Sequence, residues 1–203
     1  MKVVLIPNPT PEDGVPEAHL PVGILCVATV LSNAGVDVKI LDVNAIASDE
    51  TYQEIPDAIV AEDPDIVGFS TMCTQYPMIV RWARQCRELR PGLKIIFGGP
   101  QATLSDRATL EAFPFVDLIV RGESELTILP VVKALSGHGD LHNVPGVTFR
   151  SPQGIVRTPS PPLIRDLDSL PDPRYDLFPS MHLLKNIFVE EGRGCPFDCS
   201  FCC

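Results

Sequence analysis

Leu93-Lys94-Ile95-Ile96-Phe97-Gly98-Gly99-Pro100 is the stretch on which the fold turns. Beyond Lys94 it carries no polar side chain, which fits a strand covered on both faces, and the Gly-Gly-Pro that follows ends it abruptly. The same pattern recurs on either side. Asp65–Ser70, with Ile66, Val67 and Phe69 apolar, runs into Thr71. Val116–Val120 runs into Arg121-Gly122-Glu123. Val3–Ile6 runs into a proline-rich loop reaching Leu20, and Val36–Leu41 supplies one more short apolar run. Helical patterns fill the gaps. Val22–Ala34 stops at Gly35. Thr51–Glu62 is helical, with Pro56 near its start. Ile79, Trp82, Cys86 and Leu89 share one helix face, while Arg81, Arg84 and Glu88 share the other. Helices are also expected over Thr103–Phe113 and Ser124–Leu135, the latter containing Pro130.

Apolar strands alternating with helices predict an α/β fold, a flavodoxin-like doubly wound sheet of five parallel strands over residues 1–136. Ligands of such sheets bind beyond the carboxyl ends of the strands. The loops that matter are therefore 7–20, 70–77, 98–102 and 121–124. Residues 137–186 read differently. Val147–Arg150 and Ile155–Thr158 flank Ser151-Pro152-Gln153-Gly154 as a small hairpin. Ser160 to Leu184, rich in proline and aspartate, then reads as an ordered linker.

The chain has 203 residues, 45% of them hydrophobic, and a net charge of −10. That acidity, without a basic stripe, argues against nucleic acid or an anionic membrane as partner. The opening apolar run is too short for a signal peptide, and Pro21–Leu31 is too short to span a bilayer. Seven cysteines form no secreted disulfide framework, which points to the reducing cytoplasm. Cys26, Cys73 and Cys86 read as small core residues, and His138, His142 and His182 lack metal-like spacing.

The strand-end loops carry candidate ligand contacts. Ser70 and Thr71 offer hydroxyls, and Gly98, Gly99 and Pro100 allow close backbone approach. Gly122 and Glu123 follow the fifth strand. Each has a plainer local reading, as turn glycine or first-turn helix acid. Together they describe a wide groove for a flat, extended ligand. No Walker loop or dinucleotide fingerprint is present.

The last segment reads Cys195-Pro196-Phe197-Asp198-Cys199-Ser200-Phe201-Cys202-Cys203. Its C-x₃-C-x₂-C spacing can hold three irons of a 4Fe–4S cluster and leave the fourth iron open. Thiolate clusters also suit zinc, although zinc sites usually pair two C-x₂-C units and only one lies here. Cys203 has no place in the pattern. Ile187–Glu191 reads as a strand leading through Gly192-Arg193-Gly194 into the cysteines.

This ending resembles the radical S-adenosylmethionine (SAM) superfamily. The resemblance implies that Cys195, Cys199 and Cys202 hold the cluster, with SAM on the open iron and Phe201 near its adenine. It also makes residues 187–203 the first strand and cluster loop of a β/α barrel. A barrel of ordinary size needs on the order of 200 further residues, so the chain is expected to be the N-terminal part of a larger enzyme. The likeness extends upstream through Leu20-Pro21-Val22-Gly23-Ile24-Leu25, Leu41-Asp42, Gly68-Phe69-Ser70, Gly98-Gly99-Pro100, Arg121-Gly122-Glu123 and Asp172-Pro173-Arg174-Tyr175-Asp176-Leu177. It is similar to the cobalamin-binding half of cobalamin-dependent radical SAM enzymes.

That family implies a corrin ring over the strand ends, its nucleotide tail and ring lined by Ser70, Thr71, Gly98, Gly99, Gly122 and Glu123. It implies an electron donor for the cluster, and methyl transfer, ring formation or rearrangement driven by a 5′-deoxyadenosyl radical. One signature departs. Domains that ligate cobalt through histidine carry D-x-H-x-x-G, whereas this chain has Glu17-Ala18-His19-Leu20-Pro21-Val22-Gly23. The lower face of cobalt is therefore expected to meet water or an apolar wall. The rival readings are a stand-alone cobalamin module with a vestigial cysteine tail, and a zinc or redox protein. Anaerobic reconstitution followed by elemental analysis should find iron in large excess over zinc; zinc alone would favour the last rival.

Overall fold

A computed structural model describes residues 1–9, 20–46, 54–184, 187, 189–197 and 199–200. Each expected apolar run is a strand: β1 (Lys2–Ile6), β2 (Asp37–Ile40), β3 (Ile66–Ser70), β4 (Lys94–Gly98) and β5 (Leu118–Val120). They pair in parallel in the order β2-β1-β3-β4-β5. This is the flavodoxin-like order, and its reversal of direction falls between β1 and β3, where the crossovers diverge to opposite faces.

The helices divide between those faces. α1 (Val22–Asn33) and a later helix (Ile128–Leu135) cover one, together with Val3, Leu5, Ile66, Ile96 and Leu118 from the strands. Val4, Ile6, Val67, Phe69, Ile95, Phe97 and Ile119 point to the other face. There they meet α3 (Ile55–Ala61), α4 (Tyr76–Leu89) and α6 (Asp106–Ala112). The short helices α2 (Val43–Ile46) and α5 (Pro100–Leu104) follow β2 and β4. The period-2 alternation of strand side chains thus feeds two cores from one sheet.

Local chemistry explains where helix bounds differ from those expected. The helix expected over Thr103–Phe113 breaks at Ser105, a non-helical residue between α5 and α6. The helix expected from Ser124 begins instead at Ile128, as α7 (Ile128–Leu135), which puts Pro130 in its first turn. A proline is tolerated there because first-turn N–H groups have no intrahelical acceptor. α3 starts at Ile55, with Pro56 likewise at its beginning. Ile187 and Val189–Glu191, read as a strand, form none in the structure. A strand needs a partner ladder for its backbone groups, and no neighbouring strand pairs with them among the described residues.

The hairpin of β6 (Val147–Ser151) and β7 (Gly154–Arg157) joins the same sheet, making seven strands. β6 runs antiparallel to β5, pairing Leu118 with Phe149 and Val120 with Val147. A charged cluster bolts it in place. The Asp106 carboxylate accepts from Thr148 Oγ1 at 2.6 Å and from Arg157 Nε at 2.7 Å. Arg121 Nε lies 3.4 Å from the same carboxylate, and its Nη2 donates to the Thr158 carbonyl. The residues beyond the hairpin pack back on α1, where Thr29 Oγ1 accepts from the Arg174 N–H at 2.9 Å and Phe178 is buried.

Burial alone would raise the Asp106 carboxyl, but the Thr148 and Arg157 hydrogen bonds outweigh it and hold it below the ordinary carboxylate value. The sign follows from linkage. A depressed carboxyl contributes stability above its unfolded-state value and loses it as pH falls through the folded-state value. Asp106→Ala, which strands the buried Arg121, should cost about 3 kcal/mol in urea denaturation at neutral pH. The gap to the unaltered chain should shrink in acid. A loss below about 1 kcal/mol, the range of an exposed pair, would show that the cluster does not hold the hairpin.

Candidate functional site

At the carboxyl ends of the central strands, alternation produces an imbalance. Toward α3 and α4 the sheet presents Phe69 and Phe97, whose rings meet edge to face at 5.7 Å. On the opposite face the same level holds Gly68, Ser70 and Gly98, which are neighbours in register, Ser70 opposite Gly98 and Gly68 opposite Leu5. These three residues leave almost nothing between the sheet and the starts of α1 and α7. The result is a cleft of about 440 Å³.

The cleft floor is Leu5, Gly68, Ile96 and Val120, and one wall is the start of α1, Val22 to Ile24. Ser70, Gly98, Gly99, Pro100, Gly122 and Glu123, the strand-end residues singled out in the sequence, all line it. Thr71 does not. It is fully buried and spends its hydroxyl on the neighbouring loop, donating to the Gly98 carbonyl at 2.7 Å and accepting from the Ala102 N–H at 2.9 Å. It therefore pins the Gly98-Gly99-Pro100 turn from behind. Gly99 takes φ +91°, and a Cβ there would lie 2.8 Å from the Thr71 carbonyl oxygen. Only glycine meets both conditions.

Lining residues that the sequence did not single out come from distant segments. Asn8, just after β1, donates from Nδ2 to Gln75 Oε1 at 2.9 Å, while its Oδ1 is buried without a partner among the described residues. Gly23 leaves open space where a Cβ would stand. At one rim, Arg193 Nη2 donates to Glu125 Oε1 at 2.6 Å and to Glu190 Oε2 at 2.8 Å, and its Nη1 lies 3.6 Å from Glu123 Oε1. The hydrogen bonds that Arg193 donates to Glu190 and Glu125 push its pKa further up, so its charge is permanent. Glu123 Oε2 also accepts from the Ile164 N–H at 2.9 Å. The walls are mostly apolar with few polar groups, a surface suited to one flat organic ligand.

Burial, reinforced by Glu125 and Glu190, pushes the Cys26 thiol up to about 11. Burial takes Cys86 to about 12, and both are inert core thiols. Cys73 is exposed instead, in the loop between β3 and α4. Cys195 and Cys199 are exposed and unpaired. Cys202, Phe201, Cys203 and His19 lie outside the described residues. Among the described residues no group of three metal-ligating side chains forms, and no histidine lines the cleft. No helix among them is long and apolar enough to cross a membrane.

Residues 14–132 match the family described as the B12 binding domain. The chain is 33% identical, over its whole length, to an uncharacterized methyltransferase from Pyrococcus horikoshii, of which it covers 45%. It is 32% identical, again over its whole length, to the anaerobic magnesium-protoporphyrin IX monomethyl ester cyclase of Synechocystis sp., of which it covers 42%. The chain thus spans less than half the length of these relatives. Among solved structures, the cobalamin-dependent S-adenosylmethionine radical enzyme OxsB, with aqua-cobalamin and S-adenosylmethionine bound, shares the fold. It matches with a TM-score of 0.74 and 19% identity over 90% of this chain and 25% of that one.

Gly99→Ala should destabilise the chain by about 1–3 kcal/mol, since a non-glycine residue is forced into a disfavoured backbone region against the Thr71 backbone. Gly23→Ala, built into open space, should change the urea midpoint little. Equal midpoints for the two variants would show that the Gly99 turn is not constrained.

Proposed function

The chain belongs to the B12-binding domain family, and on that premise we propose that its cleft takes the nucleotide tail of cobalamin while the corrin lies across the strand ends. The observation that carries this reading is the trough left by Gly68, Ser70 and Gly98 opposite Phe69 and Phe97. A flat base fits between sheet and helices only where side chains are missing on one face. The volume of about 440 Å³ suits such a tail, and it is too small to swallow the macrocycle, which must therefore sit at the mouth. The corrin edge carries amide side chains, and Asn8 Oδ1, unpartnered among the described residues, offers their N–H groups an acceptor.

The group supplies a cobalt centre able to carry a methyl. The residues of the chain bind and orient it. Gly98 and Gly99 admit close backbone approach, Ser70 and Asn8 provide hydrogen-bonding atoms, and Val22 and Ile24 close over the tail. The proposal extends to the cysteines. Cys195, Cys199 and Cys202 would hold a 4Fe–4S cluster and SAM, with Phe201 beside the adenine, and the whole protein would be a radical SAM methyltransferase or cyclase. Supporting this are the C-x₃-C-x₂-C spacing and the similarity to a methyltransferase and a cyclase. The family likeness also favours a reductant protein as partner and a cytoplasmic setting.

Anaerobic titration with hydroxocobalamin, followed by visible absorbance, tests the reading. The unaltered chain should bind saturably. Gly23→Leu fills the cleft from a helical position with free space, so affinity should fall by at least about tenfold while stability holds. Asn8→Ala should weaken binding by about tenfold or less, the range of one hydrogen bond. A folded chain that binds no cobalamin, or a Gly23→Leu variant that binds as well, would overturn the assignment.

A further inference from the structure

Arg193 belongs to the Gly192-Arg193-Gly194 turn, two residues ahead of Cys195, yet its side chain belongs to the cleft. Its guanidinium reaches back across the sequence to Glu123 and Glu125, on the loop between β5 and α7. Glu125 is almost wholly buried, with 6% of its side chain exposed, and Arg193 is its one cationic partner among the described residues. Glu190, three residues before Arg193, closes the cage from the same segment. The carboxylate that carries one arm of the cage, Glu123, also holds the 164 backbone and lines the cleft. One planar fork therefore joins the rim of a ligand cleft to a loop of exposed cysteines. Nothing else in the 187–200 segment forms an ion pair with the α/β domain among the described residues.

The flanking glycines sharpen the point. Gly194 adopts φ +84°, and neither Gly192 nor Gly194 has atoms near the place of a Cβ. Both glycines are exposed, and Arg193 between them is the residue of the turn that forms ion pairs with the α/β domain among the described residues. Arginine suits the task better than lysine, because its planar fork engages carboxylates on two sides at once.

We infer that Arg193 is a positioning residue: it docks the cysteine loop on the rim of the cleft and makes loop order and cleft occupancy energetically interdependent. The second half of the inference rests on the cobalamin reading, whereas the first does not. Coupling of this kind is reciprocal, so whatever fills the cleft and firms the Glu123–Glu125 loop must also firm the cysteine loop, and the reverse. It acts through Arg193 alone and touches no reacting atom.

The test uses the full 203-residue chain under anaerobic conditions. Iodoacetamide alkylation of Cys195 and Cys199 is followed peptide by peptide by mass spectrometry, with and without hydroxocobalamin. Cobalamin affinity is read by absorbance in parallel. Arg193→Gln should speed alkylation of both cysteines by up to about tenfold, the range of one hydrogen bond. It should leave the exposed Cys73 unaffected. In the unaltered chain hydroxocobalamin should slow alkylation of Cys195, and in Arg193→Gln that protection should vanish and affinity should drop. Arg193→Lys, which keeps the charge and the fold but not the fork, should fall between. Combining Arg193→Gln with Glu125→Gln should add nothing further to the alkylation rate. Alkylation at the same rate in the unaltered chain and in both Arg193 variants would overturn the inference. If the unaltered chain binds no cobalamin, the cobalamin reading fails and the coupling with it. A faster Arg193→Gln would then still establish the docking role.

Discussion

The structure depends on an imbalance across one sheet. Strand side chains alternate, so every residue that enlarges one face is denied to the other. At the carboxyl ends of β3 and β4 the large side chains, Phe69 and Phe97, have gone to one side, and Gly68, Ser70 and Gly98 remain on the other. The aromatic side is a core, packed edge to face with Tyr76 and Phe113 beyond. The glycine side cannot become one. α1 and α7 are held apart from it lower down by Leu25, Leu31 and Val131 and cannot settle onto the strand ends. A cleft is what geometry leaves, and its place at the β1/β3 switch is where a doubly wound sheet opens anyway.

Most of the fold was legible because it is built from short-range patterns. Five short apolar runs separated by helical patterns specify five parallel strands, and Leu20 to Ile24 marks the return of the chain over the sheet. What escaped is long-range. The hairpin was read from Ser151 to Gly154, but nothing local says that Val147 to Phe149 must pair with Leu118 to Val120. That depends on Asp106, Arg121 and Arg157 meeting across segments remote in sequence. The strand-end glycines were legible as cleft residues because their property, the lack of a side chain, is intrinsic. Thr71 lies behind the cleft and Ser70 in its lining, because only the fold decides which of two adjacent hydroxyls faces in. Asn8 and Gly23 were hidden in a proline-rich loop and a helix start, and Arg193 in a turn read for its cysteines.

Two arginines show how differently buried charge can be used. Arg121 is inside the protein and serves the sheet. It ties the end of β5 to the strand after it through backbone carbonyls and the Asp106 carboxylate. Arg193 lies at a rim and serves a segment with little packing of its own. The first pair is isolated from solvent and contributes mainly by leaving no charge unmatched. The second is surrounded by more carboxylate than it can neutralise, Glu123, Glu125 and Glu190 against a single guanidinium, so that rim of the cleft stays acidic.

The added hairpin has a consequence for self-association. A sheet ending at β5 would expose Leu118-Ile119-Val120, three apolar residues with open backbone groups, which is a template for pairing with another chain. With β6 and β7 in place the outermost strand is four residues long, starts at Gly154 and ends at an arginine already engaged by Asp106. The opposite border, β2, carries exposed Asp37 and a Lys39 tied to Glu62. Both borders are short and charged, which discourages edge-to-edge pairing with another copy, while the cleft opens on the central strands away from either border.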